Sequence, residues 1–220
     1  MADVFSILYT NSDWWDGTES WGGEANETAR DAKYSTRTYS TMNAWEVARD
    51  GASSGGDDEY LIIVGPFASA DTIAVTIGGF SSDHTITECP VTLNDSKTNP
   101  ARHAGIFSST CYRNVVSVSA AVTIENSNVT IDGIQVSGTA ANHSSGKIHS
   151  ASAITNLLIQ NCVLEVTSGG ANSGSSVYLN NASITAIIKN CVREMSLIKA
   201  RWCLGFLYLQ WEINFSGKGA

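Results

Sequence analysis

The chain has 220 residues, of which 43% are hydrophobic and only 15% charged, with 13 Lys and Arg against 21 Asp and Glu for a net charge of −8. That length and apolar content can bury a real core, while Ser, Thr, Asn and Gly in place of charged residues suit stacked strands and tight turns more than solvent-facing helices. The negative charge repels phosphate backbones and anionic bilayers, so neither nucleic acid nor a membrane surface is an expected partner.

The first 35 residues open with a strand-like run, Val4-Phe5-Ser6-Ile7-Leu8-Tyr9, and then lose all periodicity. An acidic, aromatic stretch follows, with Asp13-Trp14-Trp15-Asp16-Gly17 and then Trp21-Gly22-Gly23. Trp14, Trp15 and Trp21 can plug one end of a fold, anchor in a partner subunit or stack on sugar faces. Residues 40–50 read as a helix, capped by Ser40 or Thr41, with Ala44, Trp45, Val47 and Ala48 on its apolar side. The Gly-Ser-rich loop that ends it runs into Asp57-Asp58-Glu59, a solvated acidic run with weak cation binding as its alternative.

From Tyr60 the chain becomes a series of short β-branched runs bounded by Gly, Asn, Ser or Asp. They are Tyr60 to Val64, Ile73 to Phe80, Val91 to Leu93, Val115 to Val118, Ala121 to Ile124, Val129 to Val136, Asn156 to Val166, Ser176 to Leu179 and Ile184 to Val192. An internal repeat decides how they assemble. Leu158-Ile159-Gln160-Asn161-Cys162-Val163 recurs at an offset of 29 as Ile187-Ile188-Lys189-Asn190-Cys191-Val192. Ile131-Asp132-Gly133-Ile134 precedes Ile159 to Cys162 at an offset of 28. A strand-turn-strand unit with this period cannot bury its apolar face alone, so successive units must stack. Stacking predicts Cys162 over Cys191 inside the stack and Asn161 over Asn190 at a turn, about 4.8 Å apart. Asp132 and Gly133 fall at the same corner one unit earlier. The expected fold is all-β, a short right-handed parallel β-helix of about five coils over residues 60–192. Residues 1–59 form an N-terminal segment and capping helix. The rhythm fails after Val192, which leaves 193–220 as an atypical tail, a cap or the product of a truncation or frameshift.

The stretch from about Tyr39 to Val192 resembles the pectate-lyase-like right-handed parallel β-helix superfamily. It is most similar to uncharacterised β-helix proteins of phages and environmental bacteria. Tyr39 to Glu46 looks like their leading helix, Thr76 to Asp83 like their "TIDGWTTD" segment, Val129 to Val136 like "VRIDGLQV", and the two Asn-Cys-Val units like their "I-x-N-C-V" rungs. The resemblance implies a helix over the open end of the solenoid, where unpaired backbone otherwise invites edge association.

Enzymes of that superfamily cut acidic polysaccharides, which takes clustered carboxylates as a calcium site or an acid/base pair. Asp132 reads as a rung corner, and Asp83-His84 has the groups for proton transfer but no identifiable partner. His103, His143 and His149 read as surface loop residues without metal-ligand spacing. Cys162 and Cys191 read as stacked interior thiols, with a redox pair as the alternative. The five cysteines show no CxxC pair, so neither a disulfide framework nor a metal site is expected. No cofactor is expected either.

The start, Met1-Ala2-Asp3-Val4-Phe5, lacks a basic segment and a long apolar run, and no stretch approaches the ~18 apolar residues of a membrane span. The expectation is synthesis in the cytoplasm without a signal peptide and a final place in a virion or extracellular assembly. A non-catalytic virion-associated or filament-forming subunit fits best, with itself or other such subunits as partners. A polysaccharide lyase or hydrolase and a glycan-binding adhesin are the alternatives.

Overall fold

A computed structural model describes residues 3–9, 38–50, 58–64, 67–80, 86–90, 103–117, 120–140, 147–168 and 176–194. Among these residues the structure is mostly β, with one helix and three sheets whose strand pairings are all parallel.

In chain order the elements begin with β1 (Asp3–Tyr9), β2 (Thr38–Tyr39), helix α1 (Met42–Arg49), β3 (Asp58–Val64), β4 (Val75–Ile77) and β5 (Ile86–Pro90). Next come β6 (Arg113–Val115), β7 (Val122–Ile124), β8 (Val129–Asp132), β9 (Gln135–Ala140) and β10 (Ile148–Ser150). The last are β11 (Leu157–Gln160), β12 (Val163–Ser168), β13 (Val177–Leu179), β14 (Ala186–Lys189) and β15 (Val192–Glu194). The first sheet runs β14-β11-β8-β5-β3-β1-β2, the second β15-β12-β9-β6 and the third β13-β10-β7-β4.

From β8 onward the chain visits first, second and third sheet in turn, a cycle compatible with a parallel β-helix. The register repeats with it. Ile131 pairs Ile159, and Ile159 pairs Ile188, which are sequence steps of 28 and 29. On the second sheet Gln135 pairs Val163 and Val163 pairs Val192, again 28 and 29 apart. On the third sheet Ile148 pairs Val177, a step of 29.

Alternation explains what is buried. In β7, Val122 and Ile124 are buried and Thr123 is not; in β8, Val129 and Ile131 are buried and Thr130 is not. Successive β side chains point to opposite faces, so each short strand sends its β-branched pair inward. A fully buried Ile or Val of this kind contributes about 1.5–3 kcal/mol.

The corners between first and second sheet explain the repeated motif. The two-residue links are Gly133-Ile134, Asn161-Cys162 and Asn190-Cys191. Their first residues have φ of 76°, 53° and 52°. Glycine adopts this left-handed geometry freely and Asn better than most other residues, which is why these two types stand there. Asn128 and Asn156, just ahead of β8 and β11, have φ of 61° and 57°, and Asn156 Nδ2 donates to Asn128 Oδ1 at 2.8 Å.

Helix α1 packs against β1, β2 and β4, so it lies at the end of the sheets where β2 and β4 are the terminal strands. Thr41 is its N-cap, accepting from Ala44 N at 3.0 Å. Met42 and Trp45 are fully buried, with the Trp45 ring stacked on Phe80 at 5.7 Å. Asp71 holds the helix start from below: its Oδ2 accepts from Met42 N at 3.0 Å and from the Tyr112 hydroxyl at 3.1 Å, and its Oδ1 from Ile73 N at 3.0 Å. A carboxylate there also faces the positive end of the helix dipole.

Several sequence expectations change. Val47 and Ala48, placed on the apolar side of the helix, are exposed, and its buried residues are Met42, Trp45 and Glu46. Glu59 does not belong to a solvated acidic loop: it lies in β3, fully buried, and pairs with Arg49 of α1. The cause is alternation, because Glu59 shares the inward face of Leu61 and Ile63. His149 is not a loop residue but the middle of β10, whose flanking Ile148 and Ser150 are buried. The strand expected from Ile73 shrinks to β4, since the Asp71 side chain bonds to Ile73 N and leaves Ile73 exposed. The strand expected at Val91 to Leu93 lies outside the described residues, as do Asp57, Asp83 and His84.

Candidate functional site

The richest set of chemical groups lies at the corner between the first two sheets. Asp132, Gln160 and Lys189 are paired in one column at the ends of β8, β11 and β14. Asp132 accepts from Gln160 Nε2 at 2.9 Å through one oxygen and from Asn161 Nδ2 at 2.8 Å through the other. Gln160 ends β11 and Asn161 follows it, so this carboxylate ties β8 to the neighbouring β11.

The next positions inward are the two thiols. Asn161 N donates to Lys189 O at 3.2 Å and Val192 N to Cys162 O at 2.8 Å, which brackets Cys162 and Cys191 between paired backbones. Cys162 is fully buried and Cys191 half-buried, and both are free thiols. Each thiol donates to the carbonyl two residues before it, Cys162 Sγ to Gln160 O at 3.1 Å and Cys191 Sγ to Lys189 O at 3.3 Å. Burial, with the second sulfur beside it, pushes the Cys162 thiol well above its ordinary value. The neighbouring Cys162 thiol lowers that of Cys191, with its own burial opposing.

Gly133 and Asn190 complete the corner as left-handed turn residues. The column therefore gathers Asp132, Gly133, Asn161, Cys162, Asn190 and Cys191 in one place. Trp14, Trp15, Trp21 and His143 lie outside the described residues. His103 is well separated in sequence from the corner, and its Nδ1 accepts from Gly105 N at 3.0 Å. His149 stacks on Tyr178 at 5.7 Å with the rings 8° from parallel, and burial pushes its pKa down. Among the described residues no three His, Cys, Asp or Glu side chains are grouped to hold a metal ion.

No family model, curated protein or solved structure matches this chain. Among the described residues no helix is long and apolar enough to cross a membrane.

Lys147 carried no signal in the sequence, standing in a Ser-Gly-rich stretch. The structure buries it completely just ahead of β10, with Nζ donating to Val116 O at 2.6 Å and Thr139 O at 2.9 Å. Burial lowers its pKa from 10.5 to about 8. Between these two values the unfolded chain holds a proton that the native chain has released, so stability rises with pH through that window. Below about 8 both states are protonated and the cost of burying the ammonium is fully present. Denaturant titrations at about pH 7.5 and about pH 9.5 should therefore show wild type gaining on the order of 1 kcal/mol relative to Lys147→Met. Equal pH slopes for the two proteins would rule this coupling out.

Proposed function

We propose that the chain is a right-handed parallel β-helix of about five coils that serves as a non-catalytic structural subunit, virion-associated or filament-forming, in a homo-oligomer. The observation that carries this reading is the in-register return of the chain at sequence intervals of 28 and 29, with a helix packed at one end. Among the described residues a stack built this way has unlike ends, α1 at one and the strands β13, β14 and β15 at the other, which suits head-to-tail association. The engagement of both Asp132 oxygens between rungs supports a structural part for that carboxylate over a catalytic one.

Sedimentation velocity across a concentration series, with electron microscopy of the same samples, tests the assembly. The expected result is a closed oligomer or a fibre. A monodisperse monomer at the highest concentration overturns it. Release of sugars from an acidic polysaccharide, abolished in a folded Asp132→Asn variant, would instead establish the enzyme.

A further inference from the structure

We propose that Cys162 and Cys191 form a peroxide-sensitive dithiol that closes into a disulfide between adjacent rungs. The placement comes first. The residues on either side pair in register, Gln160 with Lys189 and Val163 with Val192. The two cysteines therefore occupy matching positions on neighbouring parallel chains, where the separation is about 4.8 Å. A disulfide needs a Cα separation of roughly 4.4–6.8 Å, so closure requires rotation of side chains and little movement of backbone.

The two thiols differ in a way that assigns their parts. Cys191 is half-buried and reachable by a small oxidant, while Cys162 is fully buried behind it. The neighbouring Cys162 thiol also lowers the Cys191 pKa, with the burial of Cys191 opposing. Thiolate character and access together decide which cysteine is oxidised first.

The chemistry balances with hydrogen peroxide as the two-electron oxidant. The Cys191 thiolate attacks one peroxide oxygen, the O–O bond breaks, and Cys191 sulfenic acid and hydroxide result. The Cys162 sulfur then attacks the Cys191 sulfur. The S–O bond breaks, the oxygen leaves as water with the Cys162 proton, and the S–S bond forms. Overall two thiols and one peroxide give one disulfide and two waters, and an external dithiol reverses it. The bond would staple β11–β12 to β14–β15 within one chain. This inference does not depend on the assembly role proposed above.

The full-length, reduced protein is treated with hydrogen peroxide under native conditions, its remaining thiols are alkylated in denaturant, and its peptides are mapped by mass spectrometry. The expected product is a single intramolecular Cys162–Cys191 cross-link, removed by dithiothreitol. Oxidation in denaturant should lose this selectivity among the five cysteines. In Cys162→Ser, Cys191 should stall as a sulfenic acid that dimedone traps. Overoxidation of Cys191 in wild type with the Cys162 thiol intact overturns the proposal, and so does a dominant cross-link to Cys89, Cys111 or Cys203. Wild-type mapping alone decides the matter if the variant does not fold.

Discussion

Arg49→Met should lower the folding free energy by about 3–5 kcal/mol, the range for removing one partner of a buried ion pair. Glu59 is fully buried on the inward side of β3. Its carboxylate accepts from Arg49 Nε at 3.1 Å and from Nη2 through its other oxygen. That two-pronged contact holds the guanidinium in its charged form and matches the planar fork of arginine, which lysine cannot reproduce. Removing the arginine leaves a carboxylate in the core without its counter-ion. The diagnostic comparison is the double variant Arg49→Met with Glu59→Leu, in which no charge is stranded. It should recover most of the loss, since apolar replacements of buried pairs are often neutral or better. Urea midpoints at constant slope provide the measurement. A single-variant loss below about 1 kcal/mol would mean that the pair behaves like an exposed one.

The consequence reaches past stability. Helix α1 is tied down by Asp71 at its start, by Glu46 accepting from Gly78 N at 3.1 Å in its middle, and by the Arg49–Glu59 pair in its last turn. Burial chiefly, with Asp50 and Glu125 nearby, raises the Glu46 pKa, so this carboxylate is not one the fold holds without cost. Releasing the last turn loosens cover over the end where β2 and β4 are terminal, and exposed parallel edges recruit other chains.

How much of this was legible depended on whether chemistry and spacing coincided. The corners were legible, because a left-handed turn needs Gly or Asn and the next residue faces the core. Gly133-Ile134, Asn161-Cys162 and Asn190-Cys191 carry that demand as a visible repeat. The earlier turns were not, because their spacing varies. Glu59 pairs Ile86 at a sequence separation of 27, Ile86 pairs Val129 at 43, and Asp3 pairs Asp58 at 55. Insertions between the strands erase the period while leaving the register intact. β10 was hidden for another reason: Lys147-Ile148-His149-Ser150 offers a single apolar residue, and stacking on β7 and β13 supplies the rest. Glu59 looked like a loop acid because its partner Arg49 lies 10 positions earlier, and nothing marked Asp71, whose partner Tyr112 is 41 positions away. The thiol pair was visible as a stack, but not the difference in exposure that makes one cysteine the attacking group.

Gly138→Ala should cost about 4 kcal/mol, combining the strain of a positive φ with forced movement of backbone. Gly138 has φ of 139° within β9, paired with Val166 of β12. A Cβ built there falls 2.0 Å from Val116 O and 3.2 Å from Lys147 Nζ. Neither neighbour has room to retreat. Val116 is held to Ser137 by an N–H bond of 3.1 Å, and its carbonyl takes the Lys147 ammonium. The same ammonium binds Thr139 O, so the methyl group would crowd a lysine that joins Val116 to Thr139. Gly105→Ala provides the matched control, because Gly105 also has positive φ, 85°, but nothing lies within 4 Å of its Cβ position. That variant should lose only about 1 kcal/mol, the conformational cost alone. The gap between the two isolates the close approach of β9 to Val116. Equal losses would mean that the backbone around Lys147 yields, and that the lysine does not hold the second sheet to the turn leading out of β6.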